Sequence, residues 1–105
     1  MEIGKVIKLL IKKRNMKQVE VAKLIGKSPT ALSQIISGTF KPQSETLEKL
    51  SEVLNVPVAV IHFLSISEND VPKEKLPLYK ILAPSIENYL IDIFSVDKED
   101  LTLKE

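Results

Sequence analysis

The chain has 105 residues, of which 44% are hydrophobic and 28% charged, with a formal net charge of +1 and no cysteine. This length accommodates one small core with an appendage but not two full cores. The lack of cysteine excludes disulfides and thiolate metal sites, and the longest unbroken apolar stretch is too short to cross a bilayer.

The net charge hides an asymmetry. Residues 1–55 carry ten Lys and Arg against five Asp and Glu, a balance of +5, whereas residues 56–105 carry five against nine, a balance of −4. A basic first half joined to an acidic second half predicts a polyanionic partner for the first half alone. The opening MEIGKVIKLLIKKR alternates apolar and basic residues and no secretory cleavage pattern follows, so a cytoplasmic location is expected.

Strand signals are nearly absent and apolar residues recur at spacings of three and four, which predicts an all-α protein. Ile3, Ile7, Leu10 and Ile11 form the apolar stripe of a first helix, with Lys5, Lys8, Lys12 and Lys13 off it and Asn15 as its stop. A second helix runs from about Gln18 to Ile25, with Val21, Ala22 and Ile25 inward and Gly26 ending it. Ser28-Pro29 restarts helix, Ser as N-cap and Pro at a position whose N–H has no helical partner. Leu32, Ile35 and Ile36 form the buried side of this third helix, and Gly38 closes it. A fourth helix follows from about Ser44 to Leu54, burying Leu47, Leu50 and Leu54 and stopped by Asn55. Pro57 opens a fifth, with Val58, Ile61, Phe63 and Leu64 as candidates for burial.

Residues 65–77 (SISENDVPKEKLP) lack a sustained period and read as a linker. Beyond it, Leu78, Leu82, Ile86, Tyr89, Leu90, Ile93 and Phe94 return to helical spacing, and Pro84 is expected to break this segment, 78–95, in two. A polar tail, 96–105, is expected to fray.

The most informative feature is the spacing Gln18-x-Glu20-Val21-Ala22, then Gly26, Ser28, Leu32, Ile35 and Gly38. It places two short helices around a tight turn at Gly26, with Ala22 small enough for them to cross closely. That is helix-turn-helix geometry, in which the second helix enters the major groove.

Residues 3–64 resemble the lambda-repressor-like, Cro-type helix-turn-helix family. The resemblance rests on Met16-Lys17-Gln18, Glu20-Val21-Ala22, Ile25-Gly26-Lys27-Ser28, Ala31-Leu32-Ser33-Gln34-Ile35, Gly38, Lys41-Pro42, Leu47, Leu50 and Leu54-Asn55-Val56. It implies a five-helix DNA-binding bundle over residues 1–64, with the later segment as a C-terminal helical extension. It also implies roles. Pro29, Thr30, Ser33 and Gln34 occupy the reading face, Gln34 being suited to pair bidentately with adenine. Gln18, Lys27, Ser28, Ser37, Thr39 and Lys41 fall where relatives meet phosphates. Taken singly, a solvated Gln, a capping Ser or a loop Lys needs no DNA; their contiguity gives the group its weight.

Two departures from the family pattern stand out. Many relatives pair an Arg late in the first helix with a Glu near the end of the recognition helix. The matching residues here are Ile11 and Ile36, so both partners are replaced together by aliphatics, which are expected to touch. Pro29 leads the reading face where a polar residue is common, and no Arg stands ready for guanine. Readout is therefore expected from Thr30, Ser33 and Gln34 on an A·T-leaning or shape-assisted site.

Val6, Leu9, Val19 and Leu24 lie off the main core stripes, and Phe40 sits in the loop after the third helix. Scattered exposed apolar residues are ordinary, yet together these predict a second apolar surface. The segment 78–94 could cover it in cis or from a partner subunit.

No nucleophile–base arrangement, phosphate-binding loop, cofactor pattern or metal-ligand cluster is apparent. His62, the single histidine, is expected to be a partly buried helix residue. The expected protein is therefore no enzyme and carries no cofactor or metal. It is read as a transcriptional regulator binding double-stranded DNA as a homodimer on an inverted repeat, with Leu82, Ile86, Tyr89, Leu90, Ile93 and Phe94 as the dimerisation set. The alternatives are an antitoxin-like module whose C-terminal segment binds a second protein, and an interaction module that has lost DNA binding. A membrane partner is not expected.

Overall fold

The first four helices of this chain end where the sequence supplies a residue that tolerates a left-handed turn. The computed structural model describes residues 1–94, and among them every regular element is helical. The helices are α1 (Ile3–Lys13), α2 (Gln18–Leu24), α3 (Pro29–Ser37), α4 (Ser44–Leu54), α5 (Val58–Leu64) and α6 (Leu76–Phe94). Two 3-10 turns, Glu68–Asp70 and Lys73–Lys75, lie between α5 and α6. Asn15, Gly26, Gly38 and Asn55 have φ of 54°, 73°, 86° and 55°. After α1, α2 and α4 the chain closes with a Schellman-type bond. Met16 N–H donates to Ile11 O at 3.2 Å, Lys27 N–H to Ala22 O at 2.9 Å, and Val56 N–H to Ser51 O at 3.0 Å.

The core joins all six helices. Ile7, Leu10, Ile25, Leu32, Leu50, Leu54, Ile61 and Leu64 are its largest fully buried side chains, and Ile91 of α6 joins them. Helix α1 is central, packing against both α3 and α5. Flanked on two sides, it buries a wider arc than one stripe, which explains why Val6, read as lying off the core, is fully buried. Leu9 is half-buried against the same core, whereas Val19 and Leu24 remain exposed. Phe63, expected inside, is instead 40% exposed. His62 is exposed rather than partly buried, on the solvent side of the short α5.

Gly4 governs the α1–α3 approach. A Cβ at this position would overlap the carbonyl oxygens of Ile35 and Ile36, so the backbones meet more closely than any side chain allows.

Helix α6 runs through Pro84 without a break, which corrects the expectation of two separate pieces. Proline removes one helical hydrogen bond. Pro84 and Lys80, whose carbonyl loses that donor, are both exposed, so water can satisfy the orphan. The helix is also held near both ends. Tyr79 donates its hydroxyl to Ile66 O at 3.0 Å, and Arg14 donates from Nη2 to Phe94 O at 2.8 Å. The Tyr79 hydroxyl titrates above its usual value of 10.0, chiefly because burial disfavours the phenolate, with Glu87, Glu68 and Asp70 adding repulsion. Residues of the expected linker are tied locally: Asp70 accepts from Ser67 N–H at 2.9 Å, and Ile66 and Val71 are half-buried. The expected polar tail, 96–105, lies outside the described residues.

Candidate nucleic-acid interface

The α2–turn–α3 unit is built by three local devices. Lys17 N–H donates to Glu20 Oε1 at 3.4 Å, closing the start of α2. Gly26 lets the chain reverse, and Ser28 Oγ accepts from Ala31 N–H at 3.0 Å, capping α3. Pro29 follows at the first helical position. Val21, Ala22, Ile25, Leu32 and Ile35 then lock the two helices onto the core. What faces away from that core is the polar remainder of α3.

Pro29, Thr30 and Ser33 are exposed, and Gln34 is half-exposed one turn further along the same helix. Lys27 and Ser28 lie exposed at the N-terminal end of α3, and Ser37, Thr39 and Lys41 at its C-terminal end, while Gln18 is half-buried at the start of α2. The structure thus gathers the predicted reading and phosphate-contacting residues around a single helix. Ser28 uses its oxygen as an acceptor in the cap, which leaves its hydroxyl hydrogen free to donate to an anion. Ser37 is more committed: its Oγ donates to Gln34 O at 3.1 Å and lies 2.9 Å from Thr39 Oγ1. Phe40 N–H donates to the same Gln34 carbonyl at 3.2 Å. These bonds fix the loop after α3, through which the chain reaches Lys41.

The charge pattern is one-sided. Between Glu20 and Glu45 the sequence contains Lys23, Lys27 and Lys41 but no Asp or Glu. Glu2 shares a surface depression with Ser37 and Lys41, so the excess of cations belongs to this run of the sequence, and such an excess attracts a polyanion.

Ile11 is buried and Ile36 is half-buried, both packed into the core that joins α1 and α3. The site thus keeps an apolar support where many relatives have an ion pair. Two positioning residues escaped the sequence reading. Gly4 sets the depth at which α3 sits, and its place beside the Ile3–Ile7 stripe was the available signal. Arg14 donates from Nε to Leu54 O at 2.8 Å and from Nη2 to Asn55 O at 3.3 Å, as well as to Phe94 O. It therefore binds the C-terminal carbonyls of α4 and α6, where helix dipoles favour a cation. Within a run of lysines it carried no distinguishing signal.

Of the predicted dimerisation set, Leu82, Ile86, Tyr89 and Ile93 face outward, whereas Leu90 and Phe94 turn in against the core of their own chain. Among the described residues, no helix is long and apolar enough to cross a membrane.

A capped, exposed polar helix set behind a tight turn, with cations at both ends, defines a helix-turn-helix DNA-binding domain. The family described as "Helix-turn-helix" matches residues 7–61, and the chain belongs to that family, in its lambda-repressor-like form, a class of DNA-binding transcription regulators. The chain is also similar to the ImmF control region 10 kDa protein of Bacillus phage phi105. The two are 34% identical over 65 residues, covering 62% of this chain and 72% of the phage protein. No solved structure matches the chain significantly.

Proposed function

We propose that this protein is a sequence-specific, cytoplasmic transcriptional regulator that binds double-stranded DNA as a homodimer on an inverted-repeat site. The observation that carries the reading is the face of α3 formed by exposed Pro29, Thr30 and Ser33 and half-exposed Gln34, flanked in sequence by Lys27 and Lys41 without an intervening carboxylate. In this reading α3 enters the major groove. Gln34 pairs its amide with adenine N6 and N7, Thr30 offers a hydroxyl and a methyl, and Ser33 donates or accepts at a base edge. Pro29 contributes only apolar contact. Gln18, Lys27, Ser28, Ser37, Thr39 and Lys41 hold the flanking phosphates and set the register. One short helix reads few base pairs, so useful selectivity calls for two half-sites about 34 Å apart. The phage relative is described as a control-region protein, and a control role here agrees with that description.

The test is selection of bound duplexes from a random pool at low and moderate salt. The expected result is an inverted repeat with half-sites about ten base pairs apart. Sequence-blind binding that fades steeply with salt would contradict it, since phosphate contacts alone would then be at work.

A further inference from the structure

The outward face of α6 has a pattern unlike the rest of the surface. Leu78, Leu82, Ile86, Tyr89 and Ile93 follow one another at steps of four, four, three and four, so they lie along one side of the helix. All of them are exposed, by 41% to 64%. The charged residues of this stretch, Lys80, Glu87 and Asp92, lie off the seam, and Lys80 leans toward Glu68 at 4.0 Å. An apolar seam with its charges set aside has the composition of an interface core rather than of a solvated face.

The seam is also asymmetric along its length. Beside its N-terminal half lies a mostly apolar groove of about 320 Å³, lined by Phe63, Ile66 and Val71 together with Leu78, Leu82 and Ile86 of α6, with Lys75 and Glu87 also in its lining. Tyr89 and Ile93, in the C-terminal half, do not line this groove. A groove at one end and exposed apolar side chains outside it at the other, on one face of one helix, complement each other when a second copy lies antiparallel.

We infer that two copies of this chain associate through antiparallel packing of their α6 helices about a two-fold axis beside Ile86. Tyr89 and Ile93 of each copy enter the groove of the other, Leu82 lies opposite the partner's Tyr89, and Leu78 lies opposite the partner's Ile93. A parallel arrangement sets groove on groove and protrusion on protrusion, leaving the grooves unfilled. Ser85, small and exposed beside the axis, permits close approach of the two helices. Phe63 and the five seam residues, each offering on the order of 100 Å², supply most of the roughly 800 Å² per partner of a stable interface. Together they reach the upper end of the apolar patch a monomer ordinarily exposes, about 600 Å². The inference rests on the dimeric reading above and specifies its geometry.

The chain contains no cysteine, so single cysteines report on proximity alone. Sedimentation of the full chain at micromolar concentration should give a dimer. Under mild oxidation Ile86→Cys should cross-link to itself, because residues at a two-fold axis come within disulfide reach. Leu78→Cys mixed with Ile93→Cys should give the mixed species, while neither alone forms a self-linked pair. The Leu82→Glu/Ile86→Glu variant should sediment as a monomer with unchanged helical circular dichroism. A monomeric wild-type chain, or Leu78→Cys and Ile93→Cys each linking to themselves, would overturn the inference. The DNA reading is tested separately. A dimer with this cross-linking pattern that enriches no duplex leaves the α6 geometry standing and removes the DNA reading. A monomer that enriches duplexes does the reverse.

Discussion

Ile11 of α1 is buried in the core, and Ile36 of α3 is half-buried against that core. Placing one carboxylate there strands a charge beside apolar neighbours, whereas supplying both partners restores compensation. Ile36→Glu should therefore cost about 1–3 kcal/mol, and the Ile11→Arg/Ile36→Glu double variant should recover part of that loss. Urea midpoints of the two single variants and the double variant measure the coupling directly, and strictly additive losses would contradict it. Gly4 makes the opposite point, since ordinary helix propensity favours alanine over glycine by about 1 kcal/mol. Here the added methyl meets backbone oxygens that cannot yield without moving α3. Gly4→Ala should destabilise by about 1–3 kcal/mol, lowering the melting temperature by about 4–8 °C for each kcal/mol. A rise in melting temperature would refute the close approach.

At the scale of the element, α1 to α4 were legible because their stops and their periodicity agree. Asn15, Gly26, Gly38 and Asn55 each punctuate a run of apolar residues at three and four, and each takes a left-handed turn in the structure. Helix α6 was misread because Pro84 is a local signal overruled by tertiary anchors. Arg14 is one of those anchors. A hydrogen bond to a charged group is worth about 1.5–3 kcal/mol when shielded and less when partly exposed. Arg14→Ala should thus cost about 1–2 kcal/mol and speed amide exchange in the last turns of α4 and α6 above all. Exchange that quickens evenly over the whole chain would argue against this local role.

Tyr79 is the other anchor. Its folded pKa lies above the usual 10.0, so the unfolded state ionises first as pH rises. The stabilisation from the neutral hydroxyl is fully present below that value and is lost as pH climbs through the raised pKa. The wild-type chain should lose urea resistance above pH 10.0 more steeply than Tyr79→Phe, which lacks the group. Equal slopes would show that the hydroxyl does not couple to folding.

For the molecule as a whole, the division of labour follows its charge. Residues 1–55 carry the excess of cations and present α3, while the seam of α6 lies in the acidic half. The outward polar face of α3 was legible in the sequence because it is defined by what the core leaves over: once Leu32 and Ile35 point inward, Thr30, Ser33 and Gln34 must point elsewhere. The deeper supports were not legible. Gly4 acts through another helix's backbone and Arg14 through two distant helix ends, and neither partner is near in sequence. The orientation of α6 was likewise hidden, since its apolar residues occupy more than one face and only packing shows that Leu90, Ile91 and Phe94 are the inward ones.

The central claim is that the exposed face of α3 reads bases while the lysines beside it hold phosphates. The most direct test is the affinity of an enriched duplex for the wild-type chain, Gln34→Ala and Lys27→Ala over a series of salt concentrations. Gln34→Ala should shift the line down by about 1–3 kcal/mol at unchanged slope and relax the preference at one position of the site. Lys27→Ala should weaken all duplexes alike and reduce the salt slope by about one. If Gln34→Ala binds enriched and random duplexes as the wild-type chain does, α3 is not the reader and the account fails.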